Sequence, residues 1–414
     1  MAAGQYSSDE RFVIDGKGMT SLAIVTLALF VSQIGMAFTI PLIVQHFDVS
    51  NTIAGLAATL EIGGVALTCL LYAPYVPRFD ARLVCRASIV ALLVLNVATI
   101  LSPNVDVFLV CRGLSGIIAG LINVTTSSLA GRTTKPEKSF SVLLGSLGAL
   151  GISLSLVLPQ AKNVGPLIGL EPLHTIYALY CIFLLIGLAF CTKLPSPPKL
   201  TPRGDETGAG KLKPLRELPL DAWLLLPGLG AISFGVGALG TFIVSLGTEQ
   251  IGMTVETVGL VMMSGAIVRI GGPFLGSWAS ARYRAVTLAA IVLTADAVFG
   301  MLLSHSSTVV AFALLAPILT ASSSIFFPVL LGTLSRLEPA GRLAGMHTIF
   351  AMGGGSLASL VGGAVSSKGD YSANGFVVAG GMLLAAILLY RGLRTADRQR
   401  FGAPATAPSS APAE

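Results

Sequence analysis

Residues 193–219, KLPSPPKLTPRGDETGAGKLKPLRELP, divide the chain into two parts of nearly equal length. The stretch is rich in Pro, Gly and charged residues, a composition that forms neither a membrane span nor a packed core. Apolar runs of about 20 residues, the length needed to cross a bilayer, lie on both sides of it. Six runs precede the stretch and six follow it, so residues 193–219 are predicted to be a linker between two membrane parts.

The apolar runs give approximate boundaries for the twelve predicted spans. Those before the linker are 21–44, 52–73, 87–102, 105–130, 139–161 and 172–192. Those after it are 220–246, 255–280, 285–303, 308–334, 343–367 and 372–392. The pattern predicts an all-α integral membrane protein with six-helix bundles at 21–192 and 220–393. Residues 1–20 are predicted to be an N-terminal segment, and residues 394–414, which end in FGAPATAPSSAPAE, a disordered tail.

Positive charge is distributed unevenly between the two ends of these spans. All but four of the 26 Lys and Arg lie on the side of the chain termini; the exceptions are Lys162, Lys368, Arg112 and Arg269. Cytoplasmic loops attract Lys and Arg in this way, which predicts cytoplasmic termini and a location in the inner (plasma) membrane. Only 11% of residues are charged, against about 25% in soluble domains. The net charge of +6 comes from the loops and does not indicate nucleic-acid binding.

The two halves are weakly related in sequence. A shift of 204 residues superposes identical landmark residues, namely Gly55 on Gly259, Arg132 on Arg336 and Gly151 on Gly355. Each pair falls at the same point of its own half, at a span start, in a loop or in mid-span. Parallel six-span repeats of this kind predict a central site between the two halves.

Two stretches resemble the major facilitator superfamily. RGLSGIIAG at 112–120 places Arg112 and Gly116 in the spacing of that family's RxxxG pattern. PLIVQHFDVSNTIAGL at 41–56 resembles the first outward loop of its drug-efflux and sugar-efflux branches. The resemblance covers nearly the whole chain and implies the major facilitator fold and solute transport by alternating access. We expect a monomer that carries no cofactor and no metal.

The chain departs from the family pattern in two places. The GxLaDRxGRR loop between spans two and three reads YAPYVPRFDAR here, with Tyr72 in place of Gly and Val76 in place of the acid. The corresponding GSWASARYR of the second half also lacks the acid, so Asp80 is the substitute candidate for the gating contact. The Gly-Pro pair of proton antiporters is missing from the fifth span, which weakens an antiporter interpretation. The candidate gating-loop residues are Arg78, Asp80, Arg82, Arg282 and Arg284.

Four ionisable residues, Glu61, Arg112, Arg269 and Asp296, lie deep within predicted spans, away from the span ends. A charge at bilayer depth costs about 2.5–3.5 kcal/mol, so such residues usually have a partner or a function. Glu61 and Arg112 lie roughly 12 Å and roughly 9 Å from the outer ends of their spans, which allows them to meet. Arg269 and Asp296 share a depth of about 16 Å from the cytoplasmic end, which allows a second pair.

Each of these residues has a functional and a structural interpretation. Glu61 is either a proton carrier or half of an ion pair that locks span two to span four. Arg112 either binds an anionic substrate or sets the proton affinity of Glu61, and its stripe with Ser115 and Asn123 predicts a water-filled cavity. The alternative for that stripe is hydrogen bonding between helices. A structural pair is favoured for Asp296, whereas Arg269 is left open.

Further polar and aromatic residues are candidates for the cavity wall. In span seven, Ser233 and Thr241 belong to a stripe of small residues that recurs every four positions. In span ten, Phe326 and Phe327 are candidates for contact with an apolar or aromatic ligand. For the small residues, close packing against neighbouring helices is the favoured alternative.

The sequence predicts a secondary active transporter that moves a small organic solute and is driven by protons. No stretch matches GxxxxGKS/T, so ATP hydrolysis is not indicated. Uptake by symport and drug or metabolite efflux by proton antiport both remain open. Outside this class, the alternative is a polytopic receptor or enzyme without transport. An enzyme is not expected, because no nucleophile–base set or metal cluster is seen in the sequence.

Overall fold

The computed structural model describes residues 12–134, 136–195, 220–337, 342–366 and 369–401. Within these ranges the chain is almost entirely helical, and a β-bridge joins Phe12 to Thr133. Twelve of the described helices are long and apolar enough to cross a membrane, which confirms the predicted all-α membrane fold. Most of the predicted linker, at 196–219, and most of the predicted tail, at 402–414, lie outside the described residues.

The first six membrane helices are α1 Gly16–Phe47, α2 Asn51–Tyr72, α3 Ala81–Ile100, α4 Val105–Gly131, α5 Pro136–Val157 and α6 Pro172–Cys191. The second six are α7 Leu220–Gln250, α8 Val255–Arg282, α9 Ala285–Ser304, α10 Val309–Leu337, α11 Arg342–Val365 and α12 Ser372–Phe401. We call the side of the bundle at Gly16 the termini face and the other side the opposite face.

Polar caps make several helices longer than their apolar runs. The helix α3 begins at Ala81, six residues before the predicted start of the span at residue 87. It does so because the Asp80 carboxylate accepts a hydrogen bond from Leu83 N at 3.0 Å and so caps the first turn. The helix α12 also runs past its predicted end to Phe401, so the prediction of a disordered tail is wrong for residues 394–401, which are helical. An apolar run locates the part of a helix in the bilayer and misses such polar turns.

The helix α7 is interrupted near the opposite face. Its regular part ends at Gly240, and a π-helical turn at Leu246–Gln250 follows a short helix at Ile243–Ser245. This short helix packs against α1. Residues 242–247 of α7 and 35–43 of α1 are buried on all sides, whereas the parts of both helices nearer the termini face include half-exposed residues. The two halves therefore close against each other toward the opposite face.

Two equivalent helix contacts, α2 with α11 and α5 with α8, join the halves. A Cβ atom at Gly55 would collide with the carbonyl oxygen of Ser359, and one at Gly259 would collide with the carbonyl oxygen of Ser155. Gly55 and Gly259 are 204 residues apart, and so are Ser155 and Ser359. Residues that are 204 positions apart in the sequence therefore make corresponding contacts in the two halves. Close backbone approach at small residues is typical of helix packing in membranes.

Candidate functional site

Arg112 lies in α4, seven residues from the opposite-face end, and its side chain is 1% exposed. Its Nη2 donates hydrogen bonds to Asn96 Oδ1 at 3.0 Å and to Thr99 Oγ1 at 2.6 Å. Both acceptors lie on α3, where a spacing of three residues places them on one helix face. The guanidinium is therefore oriented by two neutral acceptors.

Glu61 lies beside this arginine on α2 and is 2% exposed. Its Oε2 is 3.7 Å from Arg112 Nη1, and its Oε1 accepts a hydrogen bond from the hydroxyl of Ser32 on α1. Glu61 Oε2 itself has no hydrogen-bond partner. The predicted meeting of Glu61 and Arg112 is therefore present as an ion pair without a direct hydrogen bond.

Gly116 explains how the two helices come close enough for this pair. A Cβ atom at Gly116 would collide with the backbone carbonyl of Glu61. Only glycine therefore permits the observed approach of α2 to α4. The RxxxG spacing thus combines a charge with the small residue that brings its partner within reach.

Two aromatic rings also contact the arginine. The Arg112 guanidinium carbon lies 4.6 Å from the centre of the Tyr177 ring and 6.0 Å from that of Phe108. Both rings are fully buried. These cation–π contacts hold a positive charge in an apolar part of the bundle.

The space beside the pair is small. A cavity of about 10 Å³ lies between Ser32, Glu61, Asn96, Arg112 and Ser115. This volume is at the lower limit for one water molecule, so an organic solute has no room there. In this conformation the site accommodates protons and at most a single water.

The broad water-filled cavity predicted beside the Arg112 stripe is not present. Ser115 and Asn123 are both buried, and Asn123 Nδ2 contacts Cys69 Sγ on α2 at 3.6 Å. The stripe faces the interior of the first six-helix bundle because α2 packs closely against α4. A polar stripe shows that a helix face avoids lipid, but it does not distinguish a cavity from a neighbouring helix.

The predicted second pair, Arg269 with Asp296, is also not formed. The two side chains are not within 4.0 Å of each other. Asp296 is completely buried and faces α10 near Ser322, whereas Arg269 is exposed on α8. Counted from the termini-face ends of their helices, Asp296 lies at a depth of about 16 Å and Arg269 at about 20 Å, and the two side chains point in different directions.

Most candidates for the cavity wall pack against other residues, and one aromatic side chain stays partly accessible. Thr241 Oγ1 lies 3.1 Å from the hydroxyl of Ser359, so the stripe in α7 packs on α11, while Ser233 is half-buried. Phe326 is 3% exposed and belongs to the core. Phe327 is half-buried, and its ring centre is 5.3 Å from that of His347 on α11. Of the two phenylalanines, Phe327 is therefore the one that remains partly accessible, and it lies on the side of α10 that faces α11.

The candidate gating residues lie at the termini face and make local contacts. Asp80 caps α3, and no ion pair with a described base is found for it. The guanidinium of Arg78 lies 5.3 Å from the centre of the Tyr75 ring, and that of Arg282 lies 4.5 Å from the centre of the Trp278 ring. Arg82 Nε donates a hydrogen bond to Leu194 O at 2.6 Å. Arg284 is exposed. The described contacts of Asp80 are those of a helix cap.

Five described residues of the site were missed in the sequence: Ser32, Asn96, Thr99, Phe108 and Tyr177. Asn96 and Thr99 carry a usable signal, since two polar residues three apart in an apolar span share a face. The half-exposed Ser32 carries none, because single serines are common in membrane helices.

Comparison with known proteins identifies the fold. A solved structure of a bacterial homologue of the human lysosomal transporter Spinster, in an inward-facing and occupied conformation, matches 92% of this chain and 96% of its own, with a TM-score of 0.70 and 13% identity. A structure described as giving insights into substrate recognition in proton dependent oligopeptide transporters matches 92% of this chain and 99% of its own, with a TM-score of 0.68 and 13% identity. At this identity the likeness shows the fold alone. No curated protein matches the chain.

The family model of the Major Facilitator Superfamily matches residues 22–359, which is most of the chain. This match confirms the resemblance carried by Arg112 and Gly116. The chain therefore belongs to the Major Facilitator Superfamily, a family of membrane transporters, and is a multi-pass membrane protein.

Proposed function

We propose that the protein is a proton-coupled secondary active transporter of a small organic solute, with Glu61 as the proton carrier. The observation that carries the proposal is the buried Glu61 carboxylate, whose Oε2 lies 3.7 Å from Arg112 and has no hydrogen-bond partner. One free oxygen is the position at which a proton is added or removed. Buried acids in transporters commonly mark such a path.

Ser32 supplies the connection between this acid and the interior. Its hydroxyl donates to Glu61 Oε1, and the residue is half-exposed on α1. A proton that reaches Ser32 from the interior surface is one hydrogen bond from the carboxylate. Protonation removes the charge of Glu61 and with it the attraction to Arg112.

The helix α2 connects this event to the contact between the halves. Thr59, two residues before Glu61, exchanges two hydrogen bonds of 2.9 Å with Ser356 on α11. A shift of α2 relative to α4 on loss of the ion pair therefore also acts on the α2–α11 contact. Alternating access would require this contact between the halves to open and close.

The remaining parts of the proposal concern orientation and direction. We place the chain in the inner (plasma) membrane as a monomer with cytoplasmic termini, since most Lys and Arg lie on that side. The missing Gly-Pro pair in the fifth span favours uptake by symport. The resemblance of 41–56 to efflux branches favours antiport as the second candidate.

A solute screen in vesicles tests the proposal. Purified protein is reconstituted, a pH gradient is imposed, and accumulation of a panel of labelled solutes is measured with the gradient in each direction. We expect at least one solute to accumulate only with the gradient present, and the sign of the gradient separates symport from antiport. Gradient-independent movement of every transported solute would contradict proton coupling.

A further inference from the structure

Arg269 lies at mid-depth in the bundle and is accessible to solvent. It is 13 residues from one end of α8 and 14 from the other, which is about 20 Å from each face. Its side chain is exposed, although protein surrounds this part of α8 at a distance. A charge held at this depth is rare unless it faces an aqueous interior or a ligand.

The faces of α8 show which way Arg269 points. Gly265 and Gly272 pack against α10, and Ala266 and Ile270 pack against α5. The remaining side, the lipid-facing side, carries the exposed apolar residues Leu260, Ile267, Val268, Phe274, Leu275 and Trp278. At 100° per residue, Arg269 lies about 180° from the centre of that apolar side and between the two packed faces. Its side chain therefore opens into the interior between the halves.

No acidic group in the described spans compensates this charge. Arg269 has no ion pair with a described acid. Glu61 is already paired with Arg112, and Asp296 is buried behind the interior surface against α10. The described interior surface therefore carries an excess positive charge at Arg269, and such a charge in a low-dielectric surrounding attracts an anion.

The neighbouring wall of α10 supplies polar and aromatic groups. Thr320 packs on Gly265 and Ser324 on Gly272, so this stretch of α10 runs alongside Arg269. Ser323 and Phe327, one turn apart on α10, are both half-buried. A hydroxyl and an aromatic ring that are both partly accessible, on the helix that packs beside Arg269, fit a ligand with an anionic end and an apolar body.

From this arrangement we propose that Arg269 binds the anionic group of the transported solute, and that the apolar part of the solute packs on Phe327. The solute is then a small organic anion with an apolar or aromatic body. The inference rests on the proposed transport function and adds the substrate class to it. It assigns the solute to the interior surface and the proton to the separate pair of Glu61 and Arg112.

A binding assay without any gradient tests the substrate class. The probes are 3-phenylpropanoate, its neutral amide and 3-phenylpropylamine, and the readout is the thermal unfolding midpoint of the purified protein. We expect the carboxylate alone to raise the midpoint, at least about tenfold weaker apparent binding in Arg269→Gln, and partial retention in Arg269→Lys. Arg394→Gln, at an exposed arginine near the end of α12, is the matched control and should bind as the wild type does. Equal effects of acid and amide, no effect of the acid, or unchanged binding in Arg269→Gln would overturn the proposal.

Thiol labelling tests the direction of Arg269 without a ligand. Arg269→Cys and Ile267→Cys place a thiol on opposite sides of α8 and two residues apart. We expect the water-soluble reagent 2-sulfonatoethyl methanethiosulfonate to label the Arg269→Cys protein in membranes and to leave the Ile267→Cys protein unlabelled. Equal labelling of both would place Arg269 outside the interior and overturn the inference.

The two proposals fail in different ways. If the carboxylate binds through Arg269 but no imposed pH gradient drives any solute, proton coupling fails and the anion site stands. If Arg269→Gln supports proton-driven transport of a solute as well as the wild type does, the anion site fails and proton coupling stands.

Discussion

Arg112 Nη1 lies 3.7 Å from Glu61 Oε2, and neither side chain is more than 2% exposed. The pair sits inside the first six-helix bundle and is separated from the surface between the halves. Asn96, Thr99 and Tyr177 hold the arginine, whereas among the described residues Ser32 is the one hydrogen-bond partner of the Glu61 side chain besides its ion pair with Arg112. The acid is therefore the member of the pair with fewer fixed partners, which is what a proton carrier requires.

Removing Arg112 should destabilise the protein, because the Glu61 carboxylate is then left buried without its positive partner. We expect Arg112→Ala to abolish gradient-driven transport and to lower stability by about 3–5 kcal/mol while the protein still inserts into the membrane. Adding Glu61→Gln to this variant removes the unpaired charge, so the double variant should be more stable than Arg112→Ala alone. Thermal unfolding of the three variants measures this order, and a less stable double variant would argue against the ion pair.

Gly116 should be intolerant of even a methyl group. Because a Cβ atom there collides with the backbone carbonyl of Glu61, Gly116→Ala should separate α2 from α4 and reduce both stability and transport. Gly113, on the same helix, has its nearest neighbour, Leu60 Cβ, at 3.7 Å, so Gly113→Ala is the matched control. Thermal unfolding and transport assays on both variants test this, and equal behaviour would show that close approach at Gly116 is unnecessary.

The repeated helix contacts predict a symmetric response. Gly55→Ala and Gly259→Ala each insert a methyl group against a backbone carbonyl of the other half. Both should therefore disfavour closure toward the opposite face. A cross-link between Thr59→Cys and Ser356→Cys, whose wild-type residues share two hydrogen bonds of 2.9 Å across the α2–α11 contact, reports that closure. We expect its yield to fall in both variants.

Two glycines without neighbours serve as controls for this experiment. A Cβ atom at Gly145 or Gly353 meets nothing within 4 Å. Gly145→Ala and Gly353→Ala should therefore leave the cross-linking yield unchanged. A response in only one of Gly55→Ala and Gly259→Ala would refute the equivalence of the two contacts.

Tyr371 should contribute to closure equally at pH 6 and pH 8. Its hydroxyl donates to Glu249 Oε2 at 2.8 Å and accepts from Asn51 Nδ2 at 3.3 Å, which joins the second half to α2. Burial, and next the nearby Glu249 carboxylate, raise the pKa of Tyr371, so the neutral donor persists throughout this pH range. Its contribution is lost only when the pH rises beyond the ordinary tyrosine value of about 10.

The variant Tyr371→Phe measures this contribution. It should lower the yield of the same cross-link by a similar factor at both pH values, because the lost hydrogen bonds do not depend on protonation in that range. A loss confined to one of the two pH values would show that another titrating group controls the contact.

The sequence was sufficient for the fold and for one of the two predicted pairs. Span length and hydropathy locate the membrane helices, because the thickness and apolar interior of the bilayer determine both. The predicted pair of Glu61 and Arg112 forms because Gly116 lets their helices approach closely. Depth alone failed for Arg269 and Asp296, since it does not say which way a side chain points. The orientation depends on which helices pack on α8 and α9, and that information lies in tertiary contacts.

The partners of Arg112 show a second limit of the sequence. Asn96 and Thr99 bind the guanidinium because α3 crosses α4 near the opposite face. Tyr177 reaches it from α6, which follows much later in the chain. Residues so far apart in sequence carry no local pattern that relates them, so the site was complete only once the helices were assembled.

The most direct test of the central claim compares two transport modes in Glu61→Gln. Exchange of labelled for unlabelled solute across vesicles needs alternating access but no net proton movement, whereas accumulation against a gradient needs both. We predict that Glu61→Gln retains exchange and loses accumulation driven by an imposed pH gradient, and that Glu256→Gln, at an acid in the first turn of α8, retains both. Full gradient-driven accumulation by Glu61→Gln would contradict the assignment of Glu61 as the proton carrier.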